Sequence, residues 1–344
     1  MKELVKPKGV QKLPLSPVKE ALARHENFYM TTHVGPDADA IGSALALKIG
    51  LEKLGKSVVY VSRDGVPPSN KFLPRTDEVL TQIPYDYTYS CAVVLDCDGT
   101  AARVASDYGF IERARERVLI DHHRGSQPIF EANWLDPNKP ATALMIYELL
   151  CAMEIEIDRD MAQNLLAGLS CDTGHFRFGN TTPEVLHAAG VLVSRGADAR
   201  EIAFRMFDER SLSSTKLLGT AIGKMQVEHD GALVWTALSQ ADFLAVGTGD
   251  ESVENVVNVM RNVSGAQMAI IFRERRDEDG VHARISVRAE EHLRADLFAK
   301  EFGGGGHAAA AGLRQRGDLD SIIHKVIGRA NAWLEESHPP VPAI

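Results

Sequence analysis

Apolar residues fall in short, β-branched-rich runs through the first half of the chain: NFYMTTH, KSVVYVS, SCAVVLDC and RVLIDHH. Runs of this kind suit strands covered on both faces of a parallel sheet. Between and after them the pattern becomes helical. SALALKIGLEKLG ends at Gly55, the usual residue just past a helix, and ATALMIYELLCAM, RDMAQNLLAGLS and TPEVLHAAGVLVSRG follow. The alternation predicts an α/β fold. Its N-terminal domain, 15–196, is expected to be an open, mostly parallel sheet sandwiched by helices. The stretch 197–224 reads as a helical connector. From Met225 the texture changes. MQVEHDGALVWTAL predicts a hairpin turning at Asp230 and Gly231, SVENVVNVMRNV a helix, and QMAIIFRER and HARISVRA strands. LRADLFAKEF is a further helix running into GGGGHAAAAG, whose alanines read as helix continuation. A second, smaller α/β domain over 225–335 follows, before the Pro-rich HPPVPAI.

The polar positions add chemistry to that frame. In TTHVGPDADAIGS, 31–43, a strand hands over to a helix, and His33, Asp37 and Asp39 fall beside Gly35 and Pro36. A plain turn needs one capping side chain. Three ionisable groups this close repel or titrate unless a cation sits among them. On this stretch alone, a metal site and a capping Asp with bystanders both stand. Three other segments favour the metal. VVLDCDGT puts Asp96 at a strand end, VLIDHHRG puts Asp121, His122 and His123 at another, and LSCDTGHFRF puts Asp172 after a helical run. Strand C-termini of an open parallel sheet share one edge, where ligands bind, so these groups can converge.

Carboxylates with imidazoles and no thiolate suit Mn²⁺, with Mg²⁺, Co²⁺ and Zn²⁺ open; Ca²⁺ prefers oxygen alone. The donors exceed what one ion needs. Two divalent ions about 3.5–4 Å apart, sharing a carboxylate and a water, would use them all and favour in-line displacement at phosphorus. The chemistry is phosphoester hydrolysis.

At 344 residues and 44% hydrophobic, the chain can fill two cores. A net charge of −9 argues against a protein that coats nucleic acid indiscriminately. Cys91, Cys97, Cys151 and Cys171 form no C-x-x-C pair and read as small core residues in a reducing compartment. No run approaches a membrane span, and MKELVKPKGVQKLPLSP lacks the apolar block of a signal peptide. The expected location is the cytoplasm.

HVGPDADAIGS, LDCD, DHH and CDTGHFRF, in this order, resemble the four motifs of the DHH-family phosphoesterases. GGGGHAAAAG resembles the glycine-rich signature of the DHH-associated C-terminal domain. The match spans about residues 20–335, and its layout resembles the nanoRNase branch, the oligoribonuclease and pAp phosphatases. The resemblance implies one ion held by His33, Asp37 and Asp96, and a second by Asp39, Asp96, His122 and Asp172, with Asp96 shared. It implies that Asp121 supports His122 and that His123 faces the scissile phosphate. Arg177, Arg288, Gly304, Gly305, Gly306 and His307 would bind substrate, in a cleft between the domains. Asp98 reads equally as a turn residue. Two departures, Ala308–Ala311 after the glycine-run His and Ala289 after Arg288, remove polar groups that many relatives carry.

The implied reaction releases 5′-nucleotides from very short oligonucleotides and dephosphorylates pAp. Hydrolysis of cyclic or linear dinucleotides is the nearest alternative, and a catalytically silent nucleotide- or RNA-binding module is the alternative of another class. A polyphosphatase lacks the GGGGH domain, and a long-strand exonuclease needs a more basic chain. A homodimer is left open.

Overall fold

The structure, a computed structural model, describes residues 13–247, 256–278 and 280–337. Most of the N-terminal segment read as lacking a leader lies outside the described residues. So do the start of SVENVVNVMRNV and the Pro-rich tail. The chain divides into two compact units between Glu209 and Arg210.

The first unit runs α1 (Ser16–Arg24), β1 (Asn27–Thr31), α2 (Ala38–Lys53), β2 (Ser57–Tyr60), β3 (Cys91–Leu95), α3 (Tyr108–Glu112), β4 (Glu116–Asp121) and β5 (Ala132–Leu135). It continues through α4 (Thr142–Ala152), α5 (Arg159–Asp172), α6 (Pro183–Ser194) and α7 (Ala199–Ala203). Its sheet has five strands in the order β2-β1-β3-β4-β5, all parallel. The four apolar runs became β1 to β4. β5 was missed because ANWL is too short and too polar to show a period.

Alternating side chains of each strand serve opposite faces. Phe28 and Met30 join the main core with the buried faces of α2, α4, α5 and α6. Tyr29, Ala92, Val94 and Leu119 face a smaller cluster, closed by α3 and irregular segments. Helix α2 is buried from Ala38 to Leu51, which explains why its sequence is apolar nearly all round. It packs so closely on α5 that a Cβ at Gly42 would lie 2.3 Å from the Asn164 carbonyl oxygen.

The second unit runs α8 (Leu212–Gly223), β6 (Gln226–Glu228), β7 (Leu233–Leu238), α9 (Gln240–Val246), α10 (Val256–Arg261), β8 (Met268–Asp277) and β9 (Gly280–Ala289). Then come α11 (Ala295–Lys300), β10 (Gly305–His307), β11 (Ala310–Arg316) and α12 (Leu319–Ser337). The stretch read as a connector is thus shared: α7 lies in the first unit and α8 in the second. The six-stranded sheet, β10-β11-β9-β8-β7-β6, is antiparallel except for β7 with β8. Met268, Ile270 and Phe272 of β8 pack with α11 and α12, whereas Ala269 and Ile271 pack with α8 and α10.

One expectation is corrected here. The alanines after the glycine run do not continue a helix; Ala308 and Ala309 turn the chain, and β11 begins at Ala310. Close backbone approach explains it. A Cβ at Gly304 would meet the Gly312 carbonyl oxygen at 2.3 Å, and one at Gly306 the Ala310 oxygen at 2.4 Å. Glycine there allows β10 to lie against β11, and the pairing outweighs the helix preference of alanine.

The α2–α5 contact yields a paired test. Gly42→Ala should cost about 1–3 kcal/mol, because the obstruction is backbone that cannot rotate away. Gly190→Ala, in α6 with open space around it, should be neutral or slightly stabilising. Calorimetric melting of the two variants checks this; equal midpoints would contradict the packing.

Candidate metal centre

The acids and imidazoles gather because β1, β3 and β4 end at one edge of the parallel sheet. Asp96 follows β3 in the left-handed region, φ 53°, a conformation that costs energy in a non-glycine residue and persists only where the surroundings hold it. Its amide donates to the Ile120 carbonyl at 3.0 Å, and its Oδ1 accepts from Thr142 Oγ1 at 2.8 Å. The fixed carboxylate lies between two imidazoles. His33 Nε2 is 3.5 Å from Oδ2, and His122 Nε2 is 3.4 Å from Oδ1.

Each imidazole is oriented from its far side. His33 Nδ1 faces the Val34 carbonyl at 2.9 Å, and His122 Nδ1 faces the Lys139 carbonyl at 3.2 Å. A carbonyl only accepts, so both rings carry their proton on Nδ1 and, when neutral, turn a lone pair inward from Nε2. His122 Nε2 is buried and without a hydrogen bond, although Asp172 Oδ2 is 3.1 Å away. A lone pair aimed among carboxylates without a donor is an arrangement that suits a cation.

The carboxylates have distinct supports. Asp37 caps α2, accepting from the amides of Asp39 at 2.9 Å and Ala40 at 3.1 Å. The capping reading of this residue is therefore correct, and both cap bonds use Oδ1, which leaves Oδ2 for another partner. Asp39 is fully buried and reaches across to the start of α4, where it accepts from the amides of Thr142 at 2.7 Å and Ala143 at 2.8 Å. It serves as the cap that Ala141 cannot supply. Gly168 makes room, since a Cβ there would lie 2.6 Å from Asp39 Oδ1. Asp172 closes α5.

Donor atoms of His33, Asp37 and Asp96 lie within 4.8 Å of one another, as do those of Asp39, His122 and Asp172. Two further groups of this kind are Asp96 with His122 and His123, and Asp37 with Cys171 and Asp172, so Cys171 lies beside the cluster and is only half-buried. Cys91 and Cys97 are buried as expected, but Cys151 is exposed on α4.

Without a cation the cluster holds protons. Burial, then the charges of Asp96 and Asp172, raises the Asp39 carboxyl well above its ordinary value and raises that of Asp37 too. Burial works against protonating the imidazoles, but carboxylates prevail. Asp96 with the Val34 carbonyl and Asp37 brings His33 to about 9, and Asp172 with Asp96 and Asp39 brings His122 to about 12. Burial would raise Asp96 as well, yet His122 and His33 hold it far below the usual carboxylate range.

Asp121 differs from expectation. Its carboxylate supports His123, not His122: His123 Nδ1 lies 2.6 Å from Asp121 Oδ1, and Ser126 Oγ donates to Oδ2. At the end of β4 consecutive side chains diverge, so the residue two positions on comes within its reach. The Asp121 hydrogen bond raises the His123 pKa. That ring is 47% exposed, leaving Nε2 free for a ligand. Asp98 serves a turn, accepting from the Thr100 amide at 2.9 Å and hydroxyl at 2.8 Å. Arg177 is exposed after α5, with Nε donating to the Gly174 carbonyl at 2.6 Å and the guanidinium over Phe207. In the second unit, His307 is exposed on β10. Arg288 pairs in register with Ala310 on β11 and donates to Asn258 Oδ1 at 3.2 Å.

Such a centre defines a metal-dependent hydrolase built on a parallel α/β unit. Residues 27–169 match the N-terminal domain of the DHH family, and residues 240–332 match the DHHA1 domain. The chain is 34% identical over 303 residues to the bifunctional oligoribonuclease and PAP phosphatase NrnA of Thermus thermophilus, covering 87% of this chain and 88% of that protein. It is 29% identical to the NrnA of Bacillus subtilis, covering 85% and 90%. The chain belongs to the DHH family of metal-dependent phosphoesterases. An exopolyphosphatase-related protein from Bacteroides fragilis shares the fold, with a TM-score of 0.83 at 22% identity over 94% of this chain and 96% of that one.

Thr142 was not singled out in the sequence, where it looks like an ordinary helix start. It is fully buried and bonds two of the acids, Asp96 through its hydroxyl and Asp39 through its amide. Thr142→Val keeps the shape and the amide but removes the hydroxyl. Manganese affinity, measured by calorimetry, should fall about 10- to 100-fold, and Thr142→Ser should restore most of it. Unchanged affinity in the valine variant would show that Asp96 needs no such tether.

Proposed function

We propose that the chain hydrolyses very short oligoribonucleotides to 5′-mononucleotides and removes a phosphate from pAp. What carries this reading is the 34% identity, extending along 88% of a relative named for both activities. The arrangement around Asp96 supports a two-ion centre. His33, Asp37 and Asp96 would hold one ion, and Asp39, Asp96, His122 and Asp172 the other. Two imidazole donors favour Mn²⁺ over Mg²⁺, with Co²⁺ a workable substitute. When bound, the ions supply a nucleophilic water at neutral pH and neutralise charge that develops on the phosphoryl oxygens.

The protein's part is orientation. Asp96, tethered by Thr142, keeps one oxygen toward each imidazole. Asp121 accepts from His123 Nδ1 and favours the protonated ring, and it is that imidazolium whose Nε2–H would be presented to a phosphate oxygen. Arg177, whose Nη groups remain beyond the Nε–Gly174 bond, takes a second oxygen of the same phosphate. His307, Arg288 and the 305–306 backbone are assigned to an anionic remainder of the substrate; the Gly304 amide is already given to the Ala299 carbonyl at 2.9 Å. Gly304 and Gly306 also have a purely packing reason, so His307 carries most of this assignment.

A cyclic-di-AMP phosphodiesterase, PdeA of Listeria monocytogenes, is 22% identical, with 86% of this chain matching 45% of that protein. Dinucleotide hydrolysis is therefore the reading to set beside the first.

One product time course separates them. Chelated protein resupplied with low Mn²⁺ should convert RNA of two to about five nucleotides, and pAp, faster than a cyclic dinucleotide or a 25-nucleotide RNA, and Mg²⁺ should restore less. His307→Ala should lower kcat/KM on a dinucleotide about 10- to 100-fold, the value of one charge-assisted hydrogen bond. A small diester without a remote group should change only a few-fold. Equal losses on both would remove His307 from substrate binding, and preference for the cyclic dinucleotide would overturn the main reading.

A further inference from the structure

A turn of left-handed backbone follows Asp172. Gly174, His175 and Phe176 have φ of 56°, 55° and 63° in succession. Glycine adopts that conformation freely, but histidine and phenylalanine do so only where the surroundings hold them. Here hydrogen bonds do. The His175 amide donates to the Ser170 carbonyl at 2.7 Å, and the Arg177 and Phe178 amides both donate to the Thr173 carbonyl at 3.0 Å. Thr173 Oγ1 accepts from the Phe176 amide at 3.1 Å.

A second uncommon element lies at the end of the same unit. After α7 the helix widens into a π-helical turn, Phe204–Asp208, closed by the Glu209 amide on the Phe204 carbonyl at 2.6 Å. Such turns are rare and collect at functional sites. Phe176 and Met206 both pack against the main core. The residues after them, Arg177 and Phe207, meet: the guanidinium lies over the ring, 5.5 Å from its centre. His175 rests on the same ring, with centroids 5.4 Å apart at 37°. Burial, then the Arg177 charge, lowers the His175 pKa, so at neutral pH its ring brings no second positive charge to the group.

Arg177 is exposed, and an unrestrained arginine there would sample many rotamers. Two contacts restrict it. Nε donates to the Gly174 carbonyl at 2.6 Å, and the planar face lies over Phe207. Both spare the Nη groups, which can take phosphate oxygens. We infer that Phe207 is a positioning residue, brought by the π-helical turn to hold the Arg177 guanidinium ready for a phosphoryl oxygen of the substrate. The inference rests on the role proposed above for Arg177; the packing of Phe207 on Arg177 does not.

The test is a double-variant cycle on dinucleotide hydrolysis by the full, manganese-loaded chain. Arg177→Ala should lower kcat/KM about 10- to 100-fold, the value of a charge-assisted hydrogen bond. An exposed cation–π contact is worth about a two- to fivefold change, so Phe207→Leu should lower kcat/KM by that much. Phe207→Tyr, which keeps the ring face, should restore most of it. In the Arg177→Ala background, Phe207→Leu should do nothing further. A second measurement needs no substrate. In protein carrying isotope-labelled arginine, the Arg177 Nε–H resonance, identified by its loss in Arg177→Ala, should be displaced by the ring current. Phe207→Leu should abolish that displacement and Phe207→Tyr keep it, with manganese affinity the same in both. Equal losses from Phe207→Leu with and without Arg177 would overturn the inference, because they mark a purely structural role. So would an Arg177 resonance indifferent to Phe207→Leu, or an Arg177→Ala variant of undiminished kcat/KM, which would also withdraw Arg177 from the substrate. Hydrolysis by the unmodified protein is read first. If it fails on both the dinucleotide and pAp, the reaction proposed above falls, and the arginine resonance alone decides whether Phe207 holds Arg177.

Discussion

Negative charge concentrated on one edge of a sheet is the constraint to which the rest of the first unit answers. Asp37, Asp39, Asp96 and Asp172 converge there, and Asp39 and Asp96 are almost wholly removed from water. Burying like charges together is unfavourable unless opposite charge or donors compensate. The fold supplies compensation from several directions. Amides at the starts of α2 and α4 point at Asp37 and Asp39, and imidazoles flank Asp96 on both sides. What they leave over, a set of inward lone pairs, is the condition under which a divalent cation binds tightly. The same groups that make the empty cluster costly make the loaded one stable.

This constraint explains features that look unrelated. Gly168 must be glycine because Asp39 occupies the space a side chain would need. Asp96 is held in a left-handed conformation because the end of β3 must turn its carboxylate back between β1 and β4. Helix α4, with Ala141 at its N-cap position, has no cap of its own because a carboxylate from α2 caps it. Each arrangement costs something locally, and such costs concentrate where a site is being held in shape.

Much of this was legible in the chain. Acids and histidines placed directly after β-branched runs meet at the strand C-termini, so the gathering of these side chains was visible before any geometry, whereas their division between two ions came from the family resemblance. Helical and strand periods located most elements for the same reason. The failures have physical causes. Thr142 and the capping role of Asp39 depend on contacts over a hundred residues apart in sequence. The partner of Asp121 depends on how side chains diverge around one turn. The segment where β10 turns into β11, GGGGHAAAAG, is nearly all glycine and alanine, whose local preferences say nothing of strands; only the closeness of two backbones reveals them.

The central claim is that Asp96 is shared by two ions, one on the His33 side and one on the His122 side. Electron paramagnetic resonance of the manganese-loaded protein, recorded during titration, addresses it directly, because two ions joined through one carboxylate are magnetically coupled. The account predicts two ions per chain with a coupled signal, reduced in Asp96→Ala to uncoupled ions at lower occupancy. A single ion per chain, or two that remain uncoupled in the unmodified protein, would contradict it.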